Sequence, residues 1–126
     1  MTAAAAYNTY TQNNIEVESP QKLIEMLYEG IIRFSSMAKK AIEHGDIEKR
    51  VYWTNRAVAV FVELINSLDK ERGGEVSLYL EGLYNQQIKF LNQSNVENST
   101  EYLDIVIRVT KELLEAWREV TADELA

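Results

Sequence analysis

The chain contains no cysteine and only one proline among its 126 residues. Without cysteine there is no disulfide, no thiolate nucleophile and no cysteine-based zinc site. One proline and five glycines leave few helix-breaking positions, which favours a few long helices over many short strands. No run of about 18 apolar residues occurs, so we expect no membrane span. Residues 1–14 hold no positive charge, so we expect no secretory signal there.

Positive charge is also scarce. The chain has 13 Lys and Arg against 20 Asp and Glu, for a net charge of −7. Nucleic-acid phosphates and anionic lipid surfaces should repel such a protein. Hydrophobic residues still make up 46% of the chain, enough for one domain with its own core. We therefore expect a single cytoplasmic domain with no nucleic-acid or membrane partner.

The first two predicted helices have clear start signals. Ser19 is a good N-cap and Pro20 suits the first helical position. Helix 1 then runs with apolar residues at helical spacing until Gly45, a residue that commonly ends helices. Asp46 follows as the predicted N-cap of helix 2, and the Gly73-Gly74 pair is expected to close that helix.

The second half of the chain predicts two more helices. Apolar positions over Val76–Leu91 mark helix 3. The polar stretch Asn92–Asn98 favours a loop. Helix 4 is expected to begin near Asn98, where Glu101 three residues later would complete a capping box. Its apolar pattern fades after Val120.

Four amphipathic helices with short connections predict an all-α, antiparallel four-helix bundle. We place the bundle at residues 18–126. Residues 1–17 are a polar arm that carries Tyr7, Tyr10 and Ile15, and it could form a short extra helix or a cap.

Helices 2 and 4 carry more apolar surface than a bundle requires, because each has a second apolar stripe beside the stripe that faces the core. Such a stripe is either absorbed by the core of the bundle or covered by a partner. If a partner covers it, an amphipathic helix lying in a groove is the expected mode, with the arm touching the same surface. The candidate partner-binding residues are Tyr7, Tyr10, Ile15, Met26, Trp53, Ala57, Val60, Leu64, Ile105 and Val109.

Signs of catalysis are missing from the sequence. The only histidine, His44, stands at the predicted end of helix 1, where its charge would favour the helix C-terminus. With one histidine and no cysteine, a metal site is not expected, and Gly73-Gly74 lacks the lysine and hydroxyl residue of a phosphate-binding loop. We expect no enzyme and no cofactor. Two alternatives remain open at this point: a histidine phosphotransfer domain using His44, and a self-associating helical module.

Several motifs resemble the family of the flagellar secretion chaperone FliS. They occur in the same order across nearly the whole chain. The most specific one is the run Ser19-Pro20-Gln21-Lys22-Leu23-Ile24-Glu25-Met26-Leu27-Tyr28-Glu29-Gly30. The others are Ala6–Tyr10, Leu68-Asp69 with Gly73-Gly74-Glu75, Leu83-Tyr84 and Glu115-Ala116-Trp117.

The resemblance implies a specific role. Members of this family are cytoplasmic four-helix proteins that bind the disordered C-terminal segment of flagellin. They prevent premature polymerisation and assist delivery to the flagellar type III export gate, and some meet other assembly or regulatory proteins. It also implies that Tyr7 and Tyr10 belong to an N-terminal segment that touches the binding surface. A monomer or a weak dimer would suit this role.

Overall fold

Four α-helices follow one another in the computed structural model, which describes residues 19–125. Helix α1 spans Pro20–Glu43, α2 spans Ile47–Asn66, α3 spans Lys70–Glu97 and α4 spans Glu101–Leu125. Connections of only three residues force each helix to turn back along the previous one. None of these helices is long and apolar enough to cross a membrane.

The ends of α1 and the start of α2 lie where the sequence predicts them. The Ser19 hydroxyl accepts a hydrogen bond from the Lys22 backbone N–H at 3.0 Å. The Asp46 carboxylate accepts one from the Lys49 N–H, also at 3.0 Å. Gly45 has a φ of 68°, a left-handed conformation that glycine adopts without steric cost. The caps at Gly45 and Asp46 therefore leave only three residues between the end of α1 and the start of α2.

The helices form a ring in which α1 and α3 each pack against both α2 and α4. Lys39, late in α1, contacts Asp104 at the start of α4, with 2.7 Å between Nζ and Oδ1. Arg118, late in α4, contacts Glu25 at the start of α1, at 2.7 Å. The two helices therefore run in opposite directions, and the predicted antiparallel four-helix bundle is confirmed.

The core fills the space between the four helices. Tyr28 of α1 and Tyr84 of α3 meet across it, with their hydroxyl oxygens 2.6 Å apart. Burial raises the pKa of both phenols, so the pair stays neutral. The most deeply buried large apolar side chains are Phe61, Leu23, Ile31, Leu64, Leu91, Leu103 and Val106.

Each helix also places one small hydroxyl residue in this core. Ser35, Thr54, Ser94 and Thr110 each have 0% exposure. Their hydroxyl oxygens have no hydrogen-bond partner within the described part of the chain. A buried hydroxyl without a partner lowers stability by about 1–3 kcal/mol. Replacing such a hydroxyl by an apolar group of the same shape is therefore expected to raise stability.

The boundary between α2 and α3 lies earlier than predicted. Helix α2 ends at Asn66, and the Asp69 carboxylate caps α3 by accepting from the Arg72 N–H at 3.1 Å. Gly73 and Gly74 thus lie inside α3, so the prediction that they close the preceding helix was wrong. Asp69 starts the new helix before the glycines are reached, and the Gly73 N–H closes its first turn by donating to the Asp69 carbonyl oxygen at 2.7 Å. Gly74, with φ 53° and ψ −128°, kinks α3.

The stretch Asn92–Asn98, predicted to be a loop, is helical as far as Glu97. Its asparagines are engaged by α2: Arg50 donates to the side-chain oxygen of Asn95 at 3.0 Å and to that of Asn98 at 2.8 Å. These tertiary contacts outweigh the low helix propensity of asparagine. Asn98 itself adopts a left-handed conformation, φ 54°, and ends the helix.

Both ends of α4 differ from the prediction. The Ser99 hydroxyl, not Asn98, accepts a hydrogen bond from the Glu101 N–H, at 3.3 Å. Asn98 is already used as the C-cap of α3. Helix α4 continues beyond Val120 to Leu125, because no glycine or proline interrupts it there.

Candidate functional site

A groove runs along the surface between α1 and α2, with a volume of about 380 Å³. We call it the α1–α2 groove. Its lining spans about three helical turns, roughly 16 Å along α1. The lining residues are Leu23, Met26, Leu27, Gly30, Arg33, Phe34, Arg56, Ala59, Val60 and Glu63.

Small residues keep this groove open. Gly30 is buried in the middle of α1, where glycine costs about 0.5–1 kcal/mol relative to alanine. A Cβ atom built at Gly30 would lie 3.8 Å from Phe34 Cε2, in ordinary contact distance. Alanine would therefore fit, so helix packing does not demand glycine here. Ala59 on α2 leaves a similar space on the facing wall.

Apolar side chains form the floor and the walls. Leu23, Leu27 and Phe34 are buried beneath the groove. Met26, which is 39% exposed, and the half-buried Val60 stand above them. Methionine adapts its shape to different contacts, so this surface suits an apolar helix better than a small polar ligand.

One end of the groove holds an aromatic and cationic group that we call the Phe34 cluster. It consists of Phe34, Trp53, Tyr52, Arg33 and Arg56. The Phe34 and Trp53 rings stack with centroids 5.6 Å apart, and Tyr52 lies 4.7 Å from Trp53. The guanidinium carbons of Arg33 and Arg56 lie 5.1 and 4.8 Å from the Phe34 ring centre. Positive charge is thus fixed beside an apolar floor.

The structure brings together some of the predicted partner-binding residues. Met26 and Val60 both line the α1–α2 groove. Trp53 is half-buried and reaches the same region through its stack on Phe34. By contrast, Ala57 and Leu64 have exposures of 0% and 1%. Their side chains lie in the core, so the second stripe of α2 is divided between core and surface.

Ile105 and Val109 lie on a different face of the bundle. Both are half-buried on α4 and do not line the α1–α2 groove. They share a stripe with Tyr102, whose ring stacks on Phe90 of α3 at 6.1 Å. Tyr7, Tyr10 and Ile15 lie outside the described residues.

Sequence reasoning missed the residues that shape and charge the groove. Gly30, Ala59, Arg33 and Arg56 carry no periodic apolar signal. A glycine in the middle of a strongly predicted helix was the one available clue. Leu23 and Leu27 are core residues of α1 that also form the floor of the groove.

A second, larger cavity of about 660 Å³ lies between α1 and α4. Four of its seven lining residues are charged: Lys111, Glu115, Arg118 and Glu119. Arg118 is already hydrogen-bonded to Glu25, and this bond lowers the pKa of the Glu25 carboxyl. Six of its seven lining residues belong to α4, so it is a depression along one helix and lacks the two facing helical walls of the α1–α2 groove.

The arrangement offers little for catalysis. His44 is exposed at the end of α1, and its Nδ1 lies 2.8 Å from the Lys40 carbonyl oxygen. That contact makes it part of the helix cap, and a phosphotransfer role gains no support from it. Within residues 19–122, no group of three or more His, Asp and Glu side chains could hold a metal ion. The α1–α2 groove supports the binding of a segment of another protein.

Comparison with known proteins identifies the family of the chain. The chain matches the family model described as "Flagellar protein FliS" over residues 3–124. It is 59% identical to the flagellar secretion chaperone FliS of Campylobacter jejuni over 119 residues, covering 94% of this chain and 93% of that protein. Identity is 30% to the Bacillus subtilis FliS, covering 94% and 87%, and 29% to the Salmonella typhimurium FliS, covering 96% and 93%. All three are named chaperones, a role that requires no catalysis.

Proposed function

Because this chain belongs to the FliS family of flagellar secretion chaperones, we propose that it binds the C-terminal segment of flagellin in the bacterial cytoplasm. By covering that segment it prevents premature polymerisation, and it assists delivery to the flagellar type III export apparatus. The protein acts by binding its client in a fixed ratio and catalyses no reaction. The observation that carries the proposal is the apolar α1–α2 groove.

A helix of the client would lie in this groove with its apolar face on Leu23, Leu27 and Phe34. Met26 and Val60 would close over its sides. A client segment that is disordered before binding must be ordered at that moment, at a cost in free energy. Contact with a buried apolar floor offsets that cost, because it removes apolar surface of the client from water.

One groove is too short for the whole segment. Coupled folding and binding commonly buries roughly 1,000–3,000 Å², and a groove about 16 Å long accommodates only about three turns of helix. We propose that the client continues onto the stripe of α4 that contains Ile105 and Val109. Export-gate and regulatory proteins would meet the chaperone on faces that the client leaves free.

The N-terminal residues complete the proposed surface. On this proposal residues 1–17 act as an arm next to the bundle of residues 18–126. Tyr7, Tyr10 and Ile15 then contact the groove or the client. The chaperone is a monomer or a weak dimer before it meets its client.

The test is calorimetric titration of the full chain with the C-terminal segment of flagellin from the same organism, at two temperatures. We expect binding near one to one with a negative heat-capacity change, because apolar surface is buried. Met26→Asp should weaken binding at least tenfold, since the new charge must lose its water. Val96→Asp is the matched control, because Val96 is 86% exposed and lies outside the groove.

Either of two results would contradict the proposal. One is the absence of binding at high micromolar concentration by a folded chain. The other is binding that Met26→Asp and Val96→Asp weaken equally, which would move the client away from the α1–α2 groove.

Self-association is a second candidate function, and one observation favours it. Val76, Leu78 and Tyr79, at the start of α3, are 65%, 63% and 69% exposed. Exposed apolar residues close together are typical of contact surfaces. Sedimentation of the chain alone at increasing concentration tests this, and a mass that stays monomeric throughout would remove the candidate.

A further inference from the structure

The charged end of the α1–α2 groove carries information about the chemistry of its occupant. Arg33 and Arg56 stand on facing helices at the same end, each about 5 Å from the centre of one phenylalanine ring. Neither guanidinium has a carboxylate oxygen within 4.0 Å among the described side chains. In a chain with seven more acidic than basic residues, two arginines on one ring without a carboxylate partner among the described residues are unexpected.

Contacts within the Phe34 cluster restrain the Arg33 and Arg56 side chains before a ligand binds. Each guanidinium lies over the Phe34 ring, and the attraction between cation and ring restrains its position. Arg56 also donates a hydrogen bond from Nη1 to the Tyr52 hydroxyl at 2.8 Å. These contacts use the flat face and one N–H group, and they leave other N–H groups of the planar fork available. Less conformational entropy is then lost when an acceptor binds.

The two guanidinium groups carry like charges, and each lies about 5 Å from the centre of the same ring. Both therefore favour a negative group at this end of the groove. Glu63 lines the opposite end of the groove, so the electrostatic character changes along its length. A carboxylate is favoured at the arginine end and disfavoured at the Glu63 end.

We propose that the α1–α2 groove selects an apolar helix that carries carboxylate groups at the end facing Arg33 and Arg56. The arginines pair with those carboxylates while the apolar face of the helix covers Leu27 and Phe34. This deepens the proposed function and rests on it when the client is flagellin. It adds that recognition depends on acidic residues of the client and not only on its apolar face.

The test compares three full-length proteins: the parent, the double variant R33Q/R56Q, and the control K40Q/R72Q. The control removes two other positive charges from exposed sites on α1 and α3, outside the groove and away from the α4 stripe. The first probe is the flagellin C-terminal segment. The second is the same segment with each Asp and Glu changed to its amide and the C-terminus amidated. Circular dichroism checks that every variant is helical.

We expect R33Q/R56Q to bind the native segment about tenfold more weakly than the parent, and the control to change affinity less than about threefold. The amide segment should bind the parent about tenfold more weakly than the native one. For that segment, R33Q/R56Q should cost nothing further, because the coupled partner is already gone. Affinity for the native segment should also fall more steeply with salt in the parent than in R33Q/R56Q.

A second pair of probes separates this inference from the choice of client. These are two synthetic amphipathic helices with the same leucine face, one with glutamates and one with glutamines at one end. If flagellin does not bind but the glutamate helix binds in an arginine-dependent way, the proposed function fails and the inference stands. If flagellin binds and the arginine variants leave its affinity unchanged, the inference fails and the proposed function stands.

Two further results would overturn the inference. One is equal affinity of the parent for the glutamate and glutamine helices. The other is a concentration-dependent dimer that R33Q/R56Q abolishes, with no acidic helix bound by the parent. That result would assign the groove to a second copy of the chain.

Discussion

Gly30 provides the sharpest test of why the α1–α2 groove exists. It is buried inside α1, where alanine would stabilise the helix by about 0.5–1 kcal/mol. A Cβ there meets only Phe34 Cε2, at 3.8 Å, which is an ordinary van der Waals contact. Gly30→Ala should therefore raise the free energy of unfolding by about 1 kcal/mol. For a domain of this size the melting temperature should rise by about 4 °C.

The same methyl group should harm binding. It occupies the floor of the groove, and overfilling a packed site costs about 1–3 kcal/mol. We expect Gly30→Ala to bind the flagellin segment about tenfold more weakly. Gly82→Ala is the matched control, because Gly82 is exposed in α3 and a Cβ there meets nothing within 4 Å. It should raise stability by a similar amount and leave affinity unchanged.

Urea denaturation of both variants measures their stability, and calorimetric titration measures their affinity for the flagellin segment. A loss of stability in Gly30→Ala would refute the reasoning from the 3.8 Å contact. A gain in stability with unchanged affinity would mean that the client does not use the bare floor, and glycine at this position would then need another explanation.

Three further predictions concern stability. Thr54→Val removes a buried hydroxyl that has no partner within the described residues, so it should raise the free energy of unfolding by about 1 kcal/mol in urea denaturation; a loss would reveal a partner for that hydroxyl. Tyr84→Phe leaves the Tyr28 hydroxyl buried without a partner and should cost about 1–3 kcal/mol, while adding Tyr28→Phe should recover part of it; strictly additive costs would argue against the shared hydrogen bond. Glu25→Gln should cost about 1 kcal/mol at pH 7, because the hydrogen bond from Arg118 lowers the folded-state pKa of Glu25 below its usual 4.5. A lowered folded-state pKa contributes stability above the unfolded pKa and loses it as pH falls through the folded value, so the gap between parent and variant should narrow as pH falls below 4.5; a gap that stays constant as pH falls below 4.5 would contradict this.

The start and end signals of helices were reliable where a single local contact determines them. Ser19 and Asp46 cap α1 and α2 as predicted, because an N-cap needs only its own side chain and the N–H three residues later. The prediction failed at Asn92–Asn98, where Arg50 from another helix bonds Asn95 and Asn98. No local pattern indicates contacts between residues 45 and 48 positions apart.

The sequence likewise predicted only part of the candidate site. Helical periodicity marked Met26 and Val60 as surplus apolar residues, and both line the groove. It marked Ala57 and Leu64 with equal weight, yet both are buried in the core. Positions on one apolar stripe differ in exposure because neighbouring helices cover part of the stripe, and the sequence of α2 does not specify where α1 and α3 cross it.

The sequence by itself determined the all-α class, the number of helices and the surplus of apolar surface, because each follows from periodicity and capping within a single segment. Only the tertiary structure decided which surplus residues form a groove, and that Arg33 and Arg56 share one aromatic ring at its end. Those features depend on side chains from two helices meeting at one height, meaning the same level along the axis of the bundle. That height is set by packing across the whole core, to which all four helices contribute.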